Sequence, residues 1–387
     1  MDARLAGLMR TIDSLGASGP LRLEDDTRLF VYGTGSVGRD VCRVLAQQGV
    51  PVAGFMDHRT VAGPLAGTAR VYSPEDPAFT PEVKGKIVLV LAVHNREVSG
   101  SSLVAKLHAL GFPRIITLVE LYDSCSKDLG DRYWLTGRQF YRRFTAEIGQ
   151  TYEFWADETS RRTYVDTLGF RLSGDYRLLP EPDLANQYFP ADLPAWREPI
   201  RLVDCGAYDG DTIAGFLKAG FSIQALTAFE PDQANFRKLA RFVASPEGTV
   251  GEAMLWPCGL SSATAQLSFA SEQGEASSLS AGGNLTVQCV SLDEALPAFA
   301  PTLIKMDIEG AEAEALQGAR RIIGEHHPGL AISVYHRPED LWQIPQLVDQ
   351  LAKAGGQDHA SANASYKYYL RSHAYNCFEL VFYAVPV

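Results

Sequence analysis

Four ionisable residues in the second half of the chain each stand at the end of a short apolar segment: Asp204, Glu230, Asp307 and His336. Such segments are typical of buried strands. Parallel strands of a doubly wound sheet bring their carboxyl ends to one edge, where such folds bind ligands. The pattern therefore predicts one crevice lined by three carboxylates and a histidine, groups that can accept a proton from a substrate.

The turn after the first of these segments combines glycines with acids, from Asp204 through Gly206 and Asp209 to a helix beginning near Thr212. Glycine has no Cβ and a helix N-terminus presents unpaired N–H groups, so a ligand can approach this backbone closely. Glu230 follows the second segment, where a carboxylate accepts hydrogen bonds from a ribose diol. Acidic residues repel phosphate and suit a cation, which favours S-adenosylmethionine over NAD.

The next apolar segment, 254–256, predicts a third strand of the same sheet. We expect Cys258 and Gly259, just beyond it, to contact an adenine ring through their backbone. The serine-rich and glycine-rich stretch 271–284 has two interpretations. It is either a flexible linker or a loop that closes over the methyl donor or acceptor.

Methyl transfer to an alcohol needs a base, because a hydroxyl is a poor nucleophile until its proton is removed. His336 is the first candidate, since histidine titrates near neutral pH, and Asp307 is the second. A purely structural His336 is the alternative. Lys305, Asp307 and Glu309 alternate in sequence and would share one face of a strand, where buried charge favours function. Asp307 and Glu309 could instead bind Mg²⁺ and lower the pKa of the acceptor.

A second glycine motif lies near the N-terminus. The apolar segment 28–32 precedes Gly33, Gly35 and Gly38 in a Gly-x-Gly-x-x-Gly pattern, and the next such segment ends at Asp57. This is the spacing of a dinucleotide-binding fold. Nucleotide binding and tight packing of a strand against a helix both stay open as interpretations.

Composition limits the class of protein. A chain of 387 residues suggests two or three domains, and its net charge of -11 argues against unspecific binding to nucleic acid or an anionic membrane. The six cysteines contain no Cys-x-x-Cys pair, which argues against a zinc site or a disulfide framework. No apolar run is long enough to span a bilayer and no signal segment is apparent, so we expect a cytoplasmic protein without membrane insertion. A homo-oligomer stays open.

Several motifs in the second half stand in order at suitable spacing: Tyr188-Phe189, 203–212, 229–232, 303–312 and 334–336. From Gln187 to Pro386 the chain resembles the FkbM family of S-adenosylmethionine-dependent methyltransferases. The resemblance implies O-methylation of a saccharide or polyketide hydroxyl, with Asp307 and Glu309 at the methyl-transfer end. The residues expected to bind the cofactor are Asp204, Gly206, Tyr208, Asp209, Asp211, Thr212, Glu230, Pro231, Cys258 and Gly259.

The N-terminal part resembles a different family. Through 33–40, 54–57 and 110–116, residues 25–120 are similar to the N-terminal domain of PglD-type sugar acyltransferases. The resemblance implies binding of a nucleotide-linked sugar at Gly33, Gly35, Gly38 and Asp57.

Together these patterns predict an α/β protein. Residues 200–387 would form a class I methyltransferase sheet of Rossmann type, residues 1–120 a smaller Rossmann-like domain, and residues 121–199 a helical and proline-rich connector. The predicted function is S-adenosylmethionine-dependent O-methylation of a small-molecule or glycan acceptor. The alternatives are an NAD- or nucleotide-sugar-dependent enzyme, and a non-catalytic protein that binds S-adenosylmethionine and a glycan.

Overall fold

The computed structural model describes residues 2–16, 19, 21, 23–58, 70–270, 278–279, 285–355 and 365–387. The chain divides into two compact units, each with its own hydrophobic core. Unit 1 comprises Met1–Gly149, Arg162–Pro182 and Ala374–Phe378, and unit 2 comprises Gln150–Arg161, Asp183–His373 and Glu379–Val387.

Unit 1 is built on a five-stranded parallel sheet. Its strands are β1 (Arg28–Tyr32), β2 (Val52–Met56), β3 (Val71–Tyr72), β4 (Ile87–Leu91) and β5 (Arg114–Thr117). They lie in the order β3-β2-β1-β4-β5. A strand that is covered on both faces is apolar at every position rather than at alternate ones, and β4 is buried along its whole length.

Eight α-helices are described before the first strand of unit 2. They are α1 (Ala3–Asp13), α2 (Ser36–Gln47), α3 (Pro81–Gly85), α4 (Gly100–Ala109), α5 (Leu118–Leu129), α6 (Gln139–Arg142), α7 (Thr145–Tyr152) and α8 (Glu158–Ser173). Local sequence explains where α5 starts, because Thr117 and Glu120 form a reciprocal capping box.

Unit 2 carries the longer set of strands. They are β6 (Ile200–Cys205), β7 (Ile223–Phe229), β8 (Glu252–Trp256), β9 (Gly259–Leu260), β10 (Ala265–Ala270), β11 (Ser278–Leu279), β12 (Leu285–Val290), β13 (Leu303–Met306), β14 (Gly329–Ser333), β15 (Tyr366–Ser372) and β16 (Leu380–Pro386). Seven of them form a sheet in the order β15-β16-β14-β13-β6-β7-β8, and the remaining four form a small sheet in the order β11-β10-β12-β9.

The large sheet is parallel from β14 to β8, and β16 joins it antiparallel to β14. Its helices are α9 (Asp211–Lys218), α10 (Gln233–Val243), α11 (Leu292–Ala295), α12 (Glu312–Gln317), α13 (Arg320–His326) and α14 (Asp340–Gly355). Because β6, β7, β13 and β14 are parallel, their carboxyl ends share one edge, and this edge positions the candidate site.

The predicted α/β class is confirmed, with a parallel Rossmann-like sheet in unit 1 and a larger sheet in unit 2. The loop predicted over 271–284 falls on 271–277 and 280–284, outside the described residues. No described helix combines the length and apolar content that crossing a bilayer requires.

Candidate functional site

The turn after β6 is shaped by main-chain contacts. Gly206 has φ +80°, and a Cβ there would lie 2.0 Å from the carbonyl oxygen of Asp307, so this position requires glycine. The amides of Gly206 and Ala207 both donate to the carbonyl oxygen of Phe229 at 3.0 Å. Gly210, with φ +97°, occupies the capping position of α9 and has no side chain to cover the first amides. The turn therefore leaves room for a ligand at a helix N-terminus.

A buried ion pair lies beside this turn. Lys305 Nζ lies 3.1 Å from Asp204 Oδ1 and donates to the carbonyl oxygen of Gly206 at 2.6 Å. Burial raises the pKa of Asp204 to about 6, although the ammonium of Lys305 opposes this. Burial acts to lower the pKa of Lys305, but Asp204 and other carboxylates outweigh it and the pKa lies above its ordinary value. The charge of Asp204, which the sequence argument directed at a cationic ligand, thus faces Lys305.

Glu230 lies at the end of β7, next to the turn. One carboxylate oxygen accepts from the amide of Tyr208 at 2.9 Å and the other accepts from the amide of Asp232 at 2.8 Å. Burial raises the pKa of Glu230 to about 7, and these two hydrogen bonds partly oppose the rise. Glu230 therefore holds the turn in place, and its carboxylate retains lone pairs that could accept from a diol.

The other turn residues predicted to contact the cofactor lie around the start of α9. Tyr208 and Asp209 are half-buried, whereas Asp211 is exposed and Thr212 is buried. The Asp211 side chain accepts from the amide of Thr212 at 2.7 Å. Tyr208 has φ +47°, an uncommon value for a residue with a Cβ, and the ammonium of Lys238 lies 5.4 Å from the centroid of its ring.

The residues predicted beside adenine follow β8. The amide of Glu230 donates to the carbonyl oxygen of Trp256 at 3.1 Å, so the ends of β7 and β8 are adjacent. A Cβ on Gly259 would lie 3.9 Å from Pro231 Cβ. Cys258 is buried. The structure therefore places Pro231 next to Gly259.

The ends of β13 and β14 hold an acidic cluster around a histidine. His336 Nε2 lies 3.2 Å from Asp307 Oδ1 and 3.7 Å from Glu309 Oε2. Its Nδ1 lies 2.8 Å from Glu312 Oε1. β13 ends at Met306 and Glu309 has φ +55°, so strand alternation does not extend to Asp307 and Glu309. The loop rather than the strand brings these carboxylates to His336.

The carboxylates of this cluster favour the charged form of His336. Burial acts to lower the pKa of His336, but the carboxylates of Glu312, Glu309 and Asp307 outweigh it and hold the pKa well above its usual range. This shift favours the protonated form of His336. Burial raises the pKa of Glu309 to about 8, although the charge of His336 opposes this. The His336 side chain is only 1% exposed, whereas those of Asp307 and Glu309 are 23% and 26% exposed.

Two tyrosines and a further acid border the cluster. The hydroxyl of Tyr188 donates to Asp307 Oδ2 at 3.4 Å. Glu379 accepts from Tyr335 Oη at 3.3 Å and from the side-chain amide of Gln187 at 2.5 Å. Within unit 2, the segment that contains Gln187 and Tyr188 therefore contacts the acceptor end predicted from the sequence.

The structure brings all four strand-end residues to one edge. Asp204 pairs with Lys305, Glu230 accepts from the turn after Asp204, and Asp307 lies against both Gly206 and His336. The sequence predicted Lys305 to share a functional face with Asp307 and Glu309 but did not predict its pairing with Asp204, and it gave no role to Glu312 or Glu379. Lys305 had a signal, because a lysine inside an apolar strand segment needs a partner. Glu379 had none, since it belongs to the distant C-terminal segment.

The glycine motif of unit 1 has its own geometry. Gly33 has φ +107°, and a Cβ on Gly38 would lie 2.0 Å from the carbonyl oxygen of Gly33. A Cβ on Gly35 would meet no atom within 4 Å. Asp57 Oδ2 accepts from Thr34 Oγ1 at 2.9 Å. Gly38 therefore allows α2 to pack closely against the end of β1. Nucleotide binding at Gly33, Gly35, Gly38 and Asp57 stays a prediction.

The sheet of unit 2, with a glycine turn after β6 and an acid after β7, places the protein in the class of α/β proteins with a methyltransferase-like Rossmann sheet. Residues 204–370 match the family model described as the methyltransferase FkbM domain. This match supports methyltransferase activity and confirms the predicted FkbM resemblance over these residues. The PglD resemblance of residues 25–120 is not confirmed.

A solved structure agrees with this fold. The crystal structure of methyltransferase FkbM from Methylobacillus flagellatus KT superposes with a TM-score of 0.75 and 22% identity, over 99% of each chain. At this identity the likeness shows the fold alone. Aeropyrum pernix fibrillarin, in complex with natively bound S-adenosyl-L-methionine, has a TM-score of 0.31 and 13% identity over 52% of this chain and 73% of its own. So low a score carries no argument. No curated protein matches the chain significantly.

Proposed function

We propose that the protein is an S-adenosylmethionine-dependent O-methyltransferase that acts on a hydroxyl of a saccharide or similar small molecule. One observation carries the proposal. The residues that match the methyltransferase FkbM domain, 204–370, include the glycine turn, Glu230, Asp307 and His336, all on one edge of one sheet. A cofactor site at the β6 and β7 ends would thus lie next to an acidic acceptor site at the β13 and β14 ends.

At the donor side, the carboxylate of Glu230 accepts hydrogen bonds from the ribose diol. The turn from Gly206 to Thr212 would receive the methionyl part through its backbone. Within the described residues Asp209 forms no ion pair, and its carboxylate would face the ammonium group. Asp204 acts indirectly, since its carboxylate pairs with Lys305. Pro231, Cys258 and Gly259 border the adenine. These assignments follow from the neighbouring ends of β6, β7 and β8.

At the acceptor side, Asp307 is the base. Its side chain reaches solvent while that of His336 does not, so Asp307 can contact an acceptor hydroxyl directly. His336 lies behind Asp307, with Nε2 3.2 Å from Asp307 Oδ1, and the neighbouring carboxylates hold the pKa of His336 well above its usual range despite its burial. Asp307 would take the proton of the acceptor hydroxyl. The bound donor would supply the methyl group, since its S–CH3 bond would break as the new O–CH3 bond forms, and S-adenosylhomocysteine would leave. Much of the rate enhancement comes from holding oxygen and methyl group in line.

Mg²⁺ at Asp307 and Glu309 does not form part of this proposal. Among the residues that the structure describes, Asp307, Glu312 and His336 could offer ligand atoms within 4.8 Å of one another. Mg²⁺ prefers oxygen ligands, yet His336 places a nitrogen among them. Glu312 Oε1 already accepts from the amide of Ile308 at 2.9 Å and lies 2.8 Å from His336 Nδ1. The donor set therefore fits a self-contained hydrogen-bonded cluster better than a Mg²⁺ site.

The test is incubation with S-adenosylmethionine carrying an isotopically labelled methyl group, in the presence of glycan extracts, followed by mass spectrometry of the products. We expect label in an ether-linked methyl group of one acceptor. Calorimetric titration with S-adenosylhomocysteine, NAD and a nucleotide sugar is the parallel measurement. Binding of NAD without S-adenosylhomocysteine would refute the proposal and favour an enzyme that uses the unit 1 glycine motif. Binding of S-adenosylhomocysteine with no methylated acceptor would favour a non-catalytic sensor.

A further inference from the structure

Glu312 is a fully buried carboxylate that the proposed chemistry does not use. It is the first residue of α12, and the structure leaves it 0% exposed. Its Oε1 accepts from the amide of Ile308 at 2.9 Å and lies 2.8 Å from His336 Nδ1. An ionised carboxylate is costly to bury unless it is paired and hydrogen-bonded. The two contacts supply that compensation, and they connect Glu312 to both sides of the acceptor end.

The contact with His336 sets the orientation of its ring. In a histidine, the hydrogen bond made by one nitrogen determines how the other is presented. With Nδ1 donating to Glu312, Nε2 lies 3.2 Å from Asp307 Oδ1 and 3.7 Å from Glu309 Oε2. Rotation of the ring about its χ2 angle would break the Nδ1 bond and remove Nε2 from Asp307.

The hydrogen bond with Ile308 fixes the conformation of the 307–309 loop. Ile308 lies between Asp307 and Glu309, and Glu309 has φ +55°, a left-handed conformation that costs free energy for a residue with a Cβ. Such a conformation persists only when its surroundings hold it. The hydrogen bond from the Ile308 amide to Glu312 fixes the peptide at the centre of this loop.

We propose that Glu312 is a positioning residue, which fixes His336 and the 307–309 loop with one carboxylate so that Asp307 faces the acceptor. The proposal rests on the proposed function, because it assigns Asp307 and His336 to the acceptor end. Glu312 itself is buried and contacts neither methyl donor nor acceptor.

The experiment compares Glu312→Gln with Glu314→Gln, a matched control on the same helix. Glu314 has a 45% exposed side chain and pairs with exposed Arg337 at 3.7 Å. We expect Glu312→Gln to lower kcat by about 10- to 100-fold, which is part of the rate enhancement that a general acid or base contributes. The affinity for S-adenosylhomocysteine should change by less than about twofold. Glu314→Gln should keep both. A second variant, Glu312→Met, removes both hydrogen bonds and should lower kcat further.

The readout besides activity is the ¹⁵N NMR spectrum of His336, assigned with His336→Gln. In Glu312→Gln and Glu312→Met we expect the Nδ1 resonance to move, because its carboxylate partner is gone. An unchanged His336 spectrum, or an equal loss of kcat and of S-adenosylhomocysteine affinity, would overturn the proposal. If no acceptor were methylated, the proposed function would fail, while the NMR comparison would still decide whether Glu312 orients His336.

Discussion

The buried pair of Lys305 and Asp204 gives a quantitative prediction about stability. Replacing Lys305 by methionine keeps much of the side-chain volume and removes the ammonium that lies 3.1 Å from Asp204 Oδ1. Removing one partner of a buried pair typically costs about 3–5 kcal/mol, because the other charge is left uncompensated. The hydrogen bond from Lys305 to Gly206 is lost as well. We expect Lys305→Met to weaken both folding and cofactor binding.

The pH dependence follows from the direction of the Asp204 shift. Its folded pKa, about 6, lies above the ordinary value of 3.8, so the associated stability is present below the unfolded pKa and is lost as pH rises through the folded pKa. Without Lys305 the folded pKa rises further, and the loss continues above pH 6. Each pH unit over which the loss continues costs up to about 1.4 kcal/mol, so Lys305→Met should be more strongly destabilised, relative to the unchanged protein, at pH 8 than at pH 6.

The assay is urea unfolding at pH 5, 6 and 8, with Lys353→Met as a control. Lys353 belongs to the same unit and has a 75% exposed side chain that pairs with Asp349, so its loss should cost less than about 1 kcal/mol. The double variant Asp204→Asn with Lys305→Met removes the uncompensated charge and should be more stable than Lys305→Met at pH 8. A Lys305→Met variant that is equally destabilised at pH 5 and pH 8 would refute this reasoning.

Three further predictions concern the proposed activity. Burial raises the pKa of Glu230 to about 7, and the ionised carboxylate is the form that accepts from a diol. Affinity for S-adenosylhomocysteine should therefore be full above pH 7 and fall as the pH is lowered through 7. Calorimetry on Glu230→Gln should show binding weaker by about tenfold or more, without this pH dependence. Asp307→Asn should lower the rate of methyl transfer in single-turnover assays by about 100-fold or more. The Kd of S-adenosylhomocysteine should stay within about threefold. Full turnover would exclude Asp307 as the base. Treatment with EDTA followed by desalting should leave methyl transfer unchanged, and restoration of lost activity by added Mg²⁺ would contradict our interpretation of the acidic cluster.

The arrangement of the strand ends could be predicted from the sequence because it depends on backbone geometry. Asp204, Glu230, Asp307 and His336 each follow an apolar segment, and parallel pairing brings such ends to one edge whatever the side chains are. The role of Gly206 in the turn could be predicted as well, since a left-handed turn next to another strand leaves no room for a Cβ.

The pairing of charges could not be predicted in this way. From the sequence, the acids of the first turn suggested a cationic ligand, but Asp204 faces Lys305 of a strand one hundred residues later, as the parallel register of β6 and β13 requires. The same limit applies to His336. An isolated histidine titrates near neutral pH, which favoured a role as base. In the structure, three carboxylates from a loop and a helix raise the pKa of His336 and favour its protonated form. Such effects depend on tertiary contacts that no local pattern contains.

One contact bears on how the range of acceptors could be altered. The amide of Asp307 donates to the carbonyl oxygen of Cys205 at 3.0 Å, and Gly206 packs directly against the carbonyl oxygen of Asp307. The distance between the proposed cofactor site and the proposed acceptor site is thus set by the hydrogen-bonded main chain of adjacent strands. Substituting side chains will not widen it. Under the proposed function, efforts to admit a bulkier acceptor should therefore begin at Gln187, Tyr188 and Glu379, and leave the strand ends untouched.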